Sequence, residues 1–343
     1  MAPPESTNAS MPADSKVLNK TEKHTAHGEV AACNGGTQDI KTGLFGLRWQ
    51  RLPGEVDALN KLVDKKVEKI VAECRKNGKQ LPPEVAEVLA TGKPSVVYKE
   101  RWTIIPVINA SFCLYQLGKS LLFGDTLATL VALSFTYVYF DFFSGVLHVL
   151  HDNPIMMKIP ITYEPCLEFQ WHHHIPQDIA SKSFLEVCGD LNLIVASLLI
   201  VFYVPAIGPF KYGFGYTLEK TPMAALVGYS KCLMAYFGQL SHSMSHMPVH
   251  RRPNWVRKLQ DWNIMLNPKQ HGVHHKNYDD NFCIGNGWFN GVMTKLLTFT
   301  NSTHRLFGGS SNTNALFWLT FFVTITFVDV SVIAYGFSLL GFK

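Results

Sequence analysis

The sequence predicts an all-α protein, a polytopic membrane helical bundle of four to five transmembrane helices with a histidine-rich site on its cytosolic face. Three observations carry that expectation. Apolar runs of membrane-spanning length recur along a chain of 343 residues that is 47% hydrophobic and 12% aromatic. Lysines and arginines gather beside those runs, as in loops that face a cytosolic leaflet. Most of the 14 histidines fall into four short groups between Leu147 and Lys276, each near the end of a run or in the loop after it.

Composition also excludes some functions. A net charge of +5, with no basic stripe interleaved with aromatics, argues against nucleic-acid binding and suits loops against an anionic membrane surface. Seven cysteines, an odd number without a C-x-x-C pair, argue against a disulfide framework or a zinc ribbon and point to a reducing side.

Residues 1–45 are rich in Ser, Thr, Asn, Ala and Gly and hold too few large apolar side chains to offset the entropy of ordering, so they are expected to form a disordered tail. The tail lacks the apolar core of a signal peptide. Its acidic residues Glu5, Asp14, Glu22, Glu29 and Asp39 argue against an organellar transit peptide. Residues 46–101 are expected to hold cytosolic amphipathic helices. Val56, Leu59, Val63, Val67, Ile70 and Cys74 recur at helical steps before the stop at Asn77-Gly78, and Pro83 to Ala90 makes a second, short helix. The pair would pack on the following region, lie on the membrane surface or bind a partner.

The apolar runs follow. Ile104–Phe123 and Leu127–Val149 form a tight helical hairpin around Gly124-Asp125; Leu191 to about Phe210 and Pro222–Leu240 form a second pair. The first run carries Asn109, Gln116 and Lys119 and is the least apolar. Residues 301–343 supply a linker and a fifth run, Ala315–Leu340.

Helical spacing sets the histidines in register. His148 and Asp152, four apart, share a helix face, as do His242 and His246. His172 and His173 are adjacent and diverge unless the local turn is tight. His271, His274 and His275 fall within five residues, a spacing that brings three imidazoles toward one face. An isolated pair near a membrane boundary is an ordinary polar cap, but four groups emerging on one face are not. Eight imidazoles and one carboxylate are too many for one tetrahedral site and suit two metals. His151 and His174 are spare by spacing, His250 and His304 read as exposed, and His24 and His27 lie in the tail.

The order G-x-x-H-x-x-x-D, HH, H-x-x-x-H and H-x-x-H-H, followed by F-C-I-x-x-G-W-x-N, resembles the Kua-type lipid desaturase family. The likeness runs from about Tyr137 to Leu297 and takes in F-x-E-x-x-G-D at Phe184–Asp190 and Q-D-W at Gln260–Trp262. It implies a lipid desaturase domain over 102–300 and a di-iron site with the ligands His148, Asp152, His172, His173, His242, His246, His271, His274 and His275. The sequence departs from the pattern at Tyr278-Asp279-Asp280, where a further histidine is expected, and in the run after Ala315.

The implied chemistry suits the ligands, because no side-chain acid or base has a pKa near that of an alkyl C–H bond and an oxygen-activating metal is required. Dioxygen is then a co-substrate and a membrane lipid the substrate. No G-x-G-x-x-G fingerprint is present, so electrons come from outside, and the resemblance implies a cytochrome b5-type donor. Without a transit peptide the leading reaction is plasmanyl to plasmenyl lipid in the endoplasmic reticulum. A trans-desaturase of an acyl chain on phosphatidylglycerol, in a plastid membrane, is the alternative, followed by a metal-dependent hydroxylase. From another class comes a catalytically silent, zinc-stabilised membrane receptor or scaffold.

Overall fold

The computed structural model describes residues 47, 54–91, 103–123, 126–203, 222–306 and 311–341. The expected disordered tail lies outside these residues. Helices dominate, and no strand occurs among the described residues, in accord with the all-α expectation.

The amphipathic pattern after Gly54 forms α1 (Glu55–Asn77), which buries Leu59, Val63 and Val67. It stops at Gly78, whose left-handed backbone (φ 62°) lets the Lys79 N–H reach the Cys74 carbonyl at 2.9 Å. With α2 (Pro83–Thr91) it packs on α5 (Pro160–His174) through Val85, Val88, Leu167 and Trp171. Packing on the following region, one of the three roles open to this pair, is thus observed.

All five apolar runs are helical over their described residues: α3 (Ile105–Phe123), α4 (Thr126–His151), α8 (Gly189–Tyr203), α9 (Pro222–His246) and α13 (Ser311–Leu339). Between α5 and α8 lie the short α6 (Pro176–Ser181) and α7 (Phe184–Val187). Among the described residues only α4 is long and apolar enough, by length and composition, to cross a membrane. Polar residues interrupt α3, α9 carries Lys231 and Gln239, and the described part of α8 is 15 residues long; within α13 the described apolar run is Asn314–Thr326.

Helix α9 is the central element, packing most extensively on α4 and α3 and also touching α8 and α13. One core joins these helices through Ala128, Ala132, Val195, Leu226, Cys232 and Phe337. A second gathers Val146, Leu150, Phe282, Met293 and Trp318 around the lower half of α4 and α12 (Asn290–Leu306). Between α9 and α12 run α10 (Asn254–Asp261), α11 (Pro268–His274) and a loop of residues 275–289.

That loop is pinned by buried polar side chains. Asp141, in the middle of α4 and fully buried, accepts the backbone N–H groups of Asn286 (2.8 Å) and Gly287 (3.0 Å) on one oxygen and of Phe289 (2.9 Å) on the other. Ser144 Oγ accepts the Ile284 N–H, and Ser241 on α9 donates to the Gly285 carbonyl at 2.7 Å. The approach is so close that a Cβ at Gly145 would lie 2.7 Å from Met293 Cγ and 2.8 Å from Cys283 Sγ, which explains glycine there. An ionisable residue inside a membrane-length run is itself a signal of function or of a buried partner. Asp141 is that signal in the sequence, and the histidine pattern does not reveal it.

Candidate metal centre

The ends of four helices meet at one place. Helix α4 brings His148 and, just past its last residue, Asp152; α5 brings His172 and His173; α9 brings His242 and His246; α11 and its C-cap bring His271, His274 and His275. Eight of these nine fall into two four-residue groups in which all ligand atoms lie within 4.8 Å of one another: His172, His246, His271 and His275, and His148, Asp152, His173 and His274. His242 adjoins the first, its Nε2 3.0 Å from His271 Nε2 and 3.3 Å from His246 Nε2.

The division between groups follows from helix geometry. Neighbouring residues project about 100° apart around a helix, so each H-H doublet straddles the two groups. His172 and His275 go to the first, His173 and His274 to the second. The expectation that His271, His274 and His275 converge on one face is corrected accordingly. His271 and His275, one turn apart, stay together, whereas His274 turns to Asp152, with His274 Nε2 3.3 Å from Asp152 Oδ2.

The second ring nitrogens fix the first. His148 Nδ1 donates to the Phe282 carbonyl (2.7 Å), His274 Nδ1 to the Asp280 carbonyl (2.8 Å) and His172 Nδ1 to the Phe169 carbonyl. Each bond sets the tautomer and leaves Nε2 as a lone-pair donor toward the centre of its group. The loop held by Asp141 carries Phe282, so the pinning of that loop orients His148.

A metal fits this arrangement on two counts. His242, His246 and His271 hold their three Nε2 atoms mutually 2.8–3.3 Å apart. A ring nitrogen carries at most one hydrogen, pointing along one line, so such a triangle is not satisfied by hydrogen bonds. Metal–nitrogen bonds of about 2.1 Å give polyhedron edges of about 2.9–3.4 Å, which is the observed spacing. Second, His148 Nε2, His172 Nε2 and both Asp152 oxygens are buried without a hydrogen-bond partner among the described residues. Buried polar atoms left so are costly unless something else occupies them.

Protonation states agree. Burial, aided by neighbouring imidazoles, pushes His173 down to about 2 and His275 to about 3, and holds His172 and His271 well below the usual range. Burial raises the Asp152 carboxyl to about 6. At pH 7 these four imidazoles are therefore neutral and Asp152 is a carboxylate, the forms that bind metals. The imidazoles resist protonation when folded and accept it near pH 6.5 when unfolded. Their stability contribution is thus complete above 6.5 and is lost as pH falls. Asp152, being raised, acts in the opposite sense but is one group against four. The melting temperature of the purified chain is expected to fall steadily from pH 7.5 to 5.5; a rise over that interval would contradict this account.

Several residues stand outside both groups. His151 turns back to the Leu147 carbonyl (2.8 Å), and His174 Nε2 contacts Glu84 of α2 at 2.7 Å. His250 is exposed and His304 is half-buried on α12. In the departing stretch after His275, the Tyr278 ring stacks on His173 with centroids 4.5 Å apart and 8° between planes. Helical spacing did not reveal that contact, because Tyr278 lies beyond the helix. A cavity of about 490 Å³ reaches Asp152 and His173 from this side, past Tyr278, Asp279 and Gln170.

Residues 137–307 match the lipid desaturase domain. Plasmanylethanolamine desaturase 1 of Mus musculus is 31% identical over 44% of this chain and 54% of its own length. The chloroplastic fatty acid desaturase 4 of Arabidopsis thaliana is 26% identical over 48% of this chain and 47% of its own. Plasmanylethanolamine desaturase of Myxococcus xanthus is 26% identical over 66% and 78%. The chain thus spans about half the length of the mouse and plant relatives. No solved structure matches it. The matched segment contains all nine converging residues, and through this domain the chain belongs to the Kua-type lipid desaturases.

Proposed function

We propose that the chain is an oxygen-dependent, di-iron membrane lipid desaturase that converts plasmanyl to plasmenyl phospholipid. The observation that carries this reading is the pair of adjacent four-ligand groups inside a lipid desaturase domain. One iron would be held by His172, His246, His271 and His275 with His242 beside them, the other by His148, Asp152, His173 and His274. Bound iron supplies the dioxygen chemistry that removal of hydrogen from an alkyl carbon requires. The reaction balances when an –O–CH₂–CH₂– unit, dioxygen, two electrons and two protons give –O–CH=CH– and two waters.

The chain's own groups do the rest. The backbone carbonyls of Phe169, Asp280 and Phe282 orient three imidazoles, and burial keeps that of His172 neutral. Electrons would come from a cytochrome b5-type donor. Four to five crossings, with the histidines on the cytosolic side of the endoplasmic reticulum, are part of the proposal. Exposed apolar side chains on α3 (Leu114, Leu122) and α13 (Val332, Leu339) support lipid contact by helices other than α4. So does the membrane-protein composition.

Two of the three relatives carry the plasmanylethanolamine name, and the plant relative's name favours a second reading, an acyl-chain trans-desaturase. Product chemistry separates them, because protonation of a vinyl ether gives an oxygen-stabilised cation and an acyl alkene gains no such help. Expression in cells that lack plasmanyl desaturase, supplied with an alkyl-ether precursor, is expected to yield acid-labile lipids that release a fatty aldehyde. Unchanged ether lipids with an acid-stable unsaturated acyl chain would transfer the assignment to the second reading. Zinc in place of iron, with neither product, would leave the silent scaffold.

A further inference from the structure

The run His172-His173-His174 ends α5, and successive side chains leave a helix about 100° apart. His172 goes to the first group and His173 to the second, whereas His174 joins neither. Its Nε2 donates instead to Glu84 Oε1 of α2 at 2.7 Å. Glu84 is only 6% exposed and sits in the first turn of α2, where the helix dipole favours an acidic side chain. A buried acid needs a partner, and the partner here follows directly on two residues of the metal centre.

The rest of α5 is held differently from its last turn. Leu167 and Trp171 of α5, and Ile175 at its C-cap, recur at steps of four and bury together with Val85 and Val88 of α2 and Val63 of α1. Burial of this kind is non-directional, so it seats α5 on the α1–α2 hairpin without fixing its angle about its own axis. Upstream, Cys166 Sγ and Gln170 Nε2 both donate to the His151 carbonyl at the end of α4, and the Tyr163 hydroxyl donates to Glu87 Oε1 of α2 at 2.7 Å. Within residues 171–174, one hydrogen bond to another element lies outside the candidate ligands among the described residues, and it is His174 to Glu84. The hairpin that supplies it lies outside the matched residues 137–307.

We propose that Glu84 is a positioning residue of the metal centre. By holding His174 it fixes the angle of the last turn of α5, and that angle sends His172 to one group and His173 to the other. This role rests on the di-iron reading and gives the N-terminal hairpin a part in forming the centre. Loss of the bond frees both imidazoles to swing together, so both groups weaken at once. Loss of a ligand differs, because it empties one group.

Cobalt(II), whose visible absorption reports the ligands around it, tests this on the full chain purified in detergent and freed of metal. Glu84→Ala is expected to weaken binding of both cobalt ions about tenfold and to shift the spectrum, whereas Glu84→Gln, whose amide oxygen still accepts from His174, stays within about twofold of the parent. Val88→Ala thins the same hairpin contact away from the pair, and is expected to lower the melting temperature with cobalt binding intact. Unchanged cobalt binding in Glu84→Ala, or an equal loss in Val88→Ala, would overturn the proposal. Should Glu84→Ala not fold, Glu84→Leu combined with His174→Leu replaces the buried pair by apolar side chains, a change that often preserves stability. That double variant is expected to melt close to the parent yet show the same loss of cobalt affinity; parent-like cobalt binding in it overturns the proposal equally. Cobalt binding needs no turnover, so a parent that binds two cobalt ions and makes no unsaturated lipid would sink the desaturase reading alone.

Discussion

His275→Ala is expected to abolish desaturation, with activity at matched protein level falling at least about a hundredfold and bound iron dropping from two per chain toward one. His275 Nε2 lies 3.1 Å from His271 Nε2, within a group in which every ligand atom is close to every other. Removing one imidazole opens a coordination position, and His172, His246 and His271 are left around an incomplete shell. His274→Ala is the instructive partner. It alters the adjacent residue but depletes the other group, so the two variants should lose different halves of the metal while both lose product. His250→Ala, on an exposed residue, should change neither. Full activity in His275→Ala would refute the ligand assignment, and two zincs per chain in the parent protein would refute the redox one.

Asp141→Ala is expected to cost the fold more than any other single substitution on α4, on the order of 3–5 kcal/mol, because it strands buried N–H groups without an acceptor. Three backbone donors, those of Asn286, Gly287 and Phe289, lose their acceptor at once. The glycines of this loop show how tightly it is held. A Cβ at Gly285 would lie 2.9 Å from Asp141 Oδ1, and Gly287 adopts φ +84°, which side chains disfavour. A loss of that size is a large fraction of a typical domain's stability. Melting in detergent should therefore show a much lower transition, with metal released alongside it because the Phe282 carbonyl no longer holds His148. Asp141→Asn, which keeps one acceptor oxygen, should fall between the two. If Asp141→Ala melts with the parent and retains its iron, the loop is not held as described.

Periodicity located α1 and α2, and run length the five apolar helices, but neither revealed α5, where a loop was expected around His172–His174, nor α6, α7, α10 and α12. The spacing of Leu59, Val63 and Val67 gave α1 its buried face, and Gly78 its end, because both depend on contacts within a few residues. The nine converging residues were legible for a related reason, since steps of four on a helix keep His148 with Asp152 and His271 with His275 whatever the rest of the chain does. The assignment of each imidazole to a group was not legible. It depends on how four helix ends rotate against one another, and that rotation sends His172 and His173, neighbours in sequence, to different centres. Which apolar runs can cross a membrane was only partly legible, because α3 and α9 mix polar residues into them, and whether Lys231 and Asp329 are tolerable inside the bundle depends on their meeting. Asp141, Tyr278 and the Lys231–Asp329 pair all take their meaning from partners between 98 and 148 residues away, or from a ring beyond the end of a helix. Local spacing determines which side chains share a helix face; only packing between helices decides which of those faces meet.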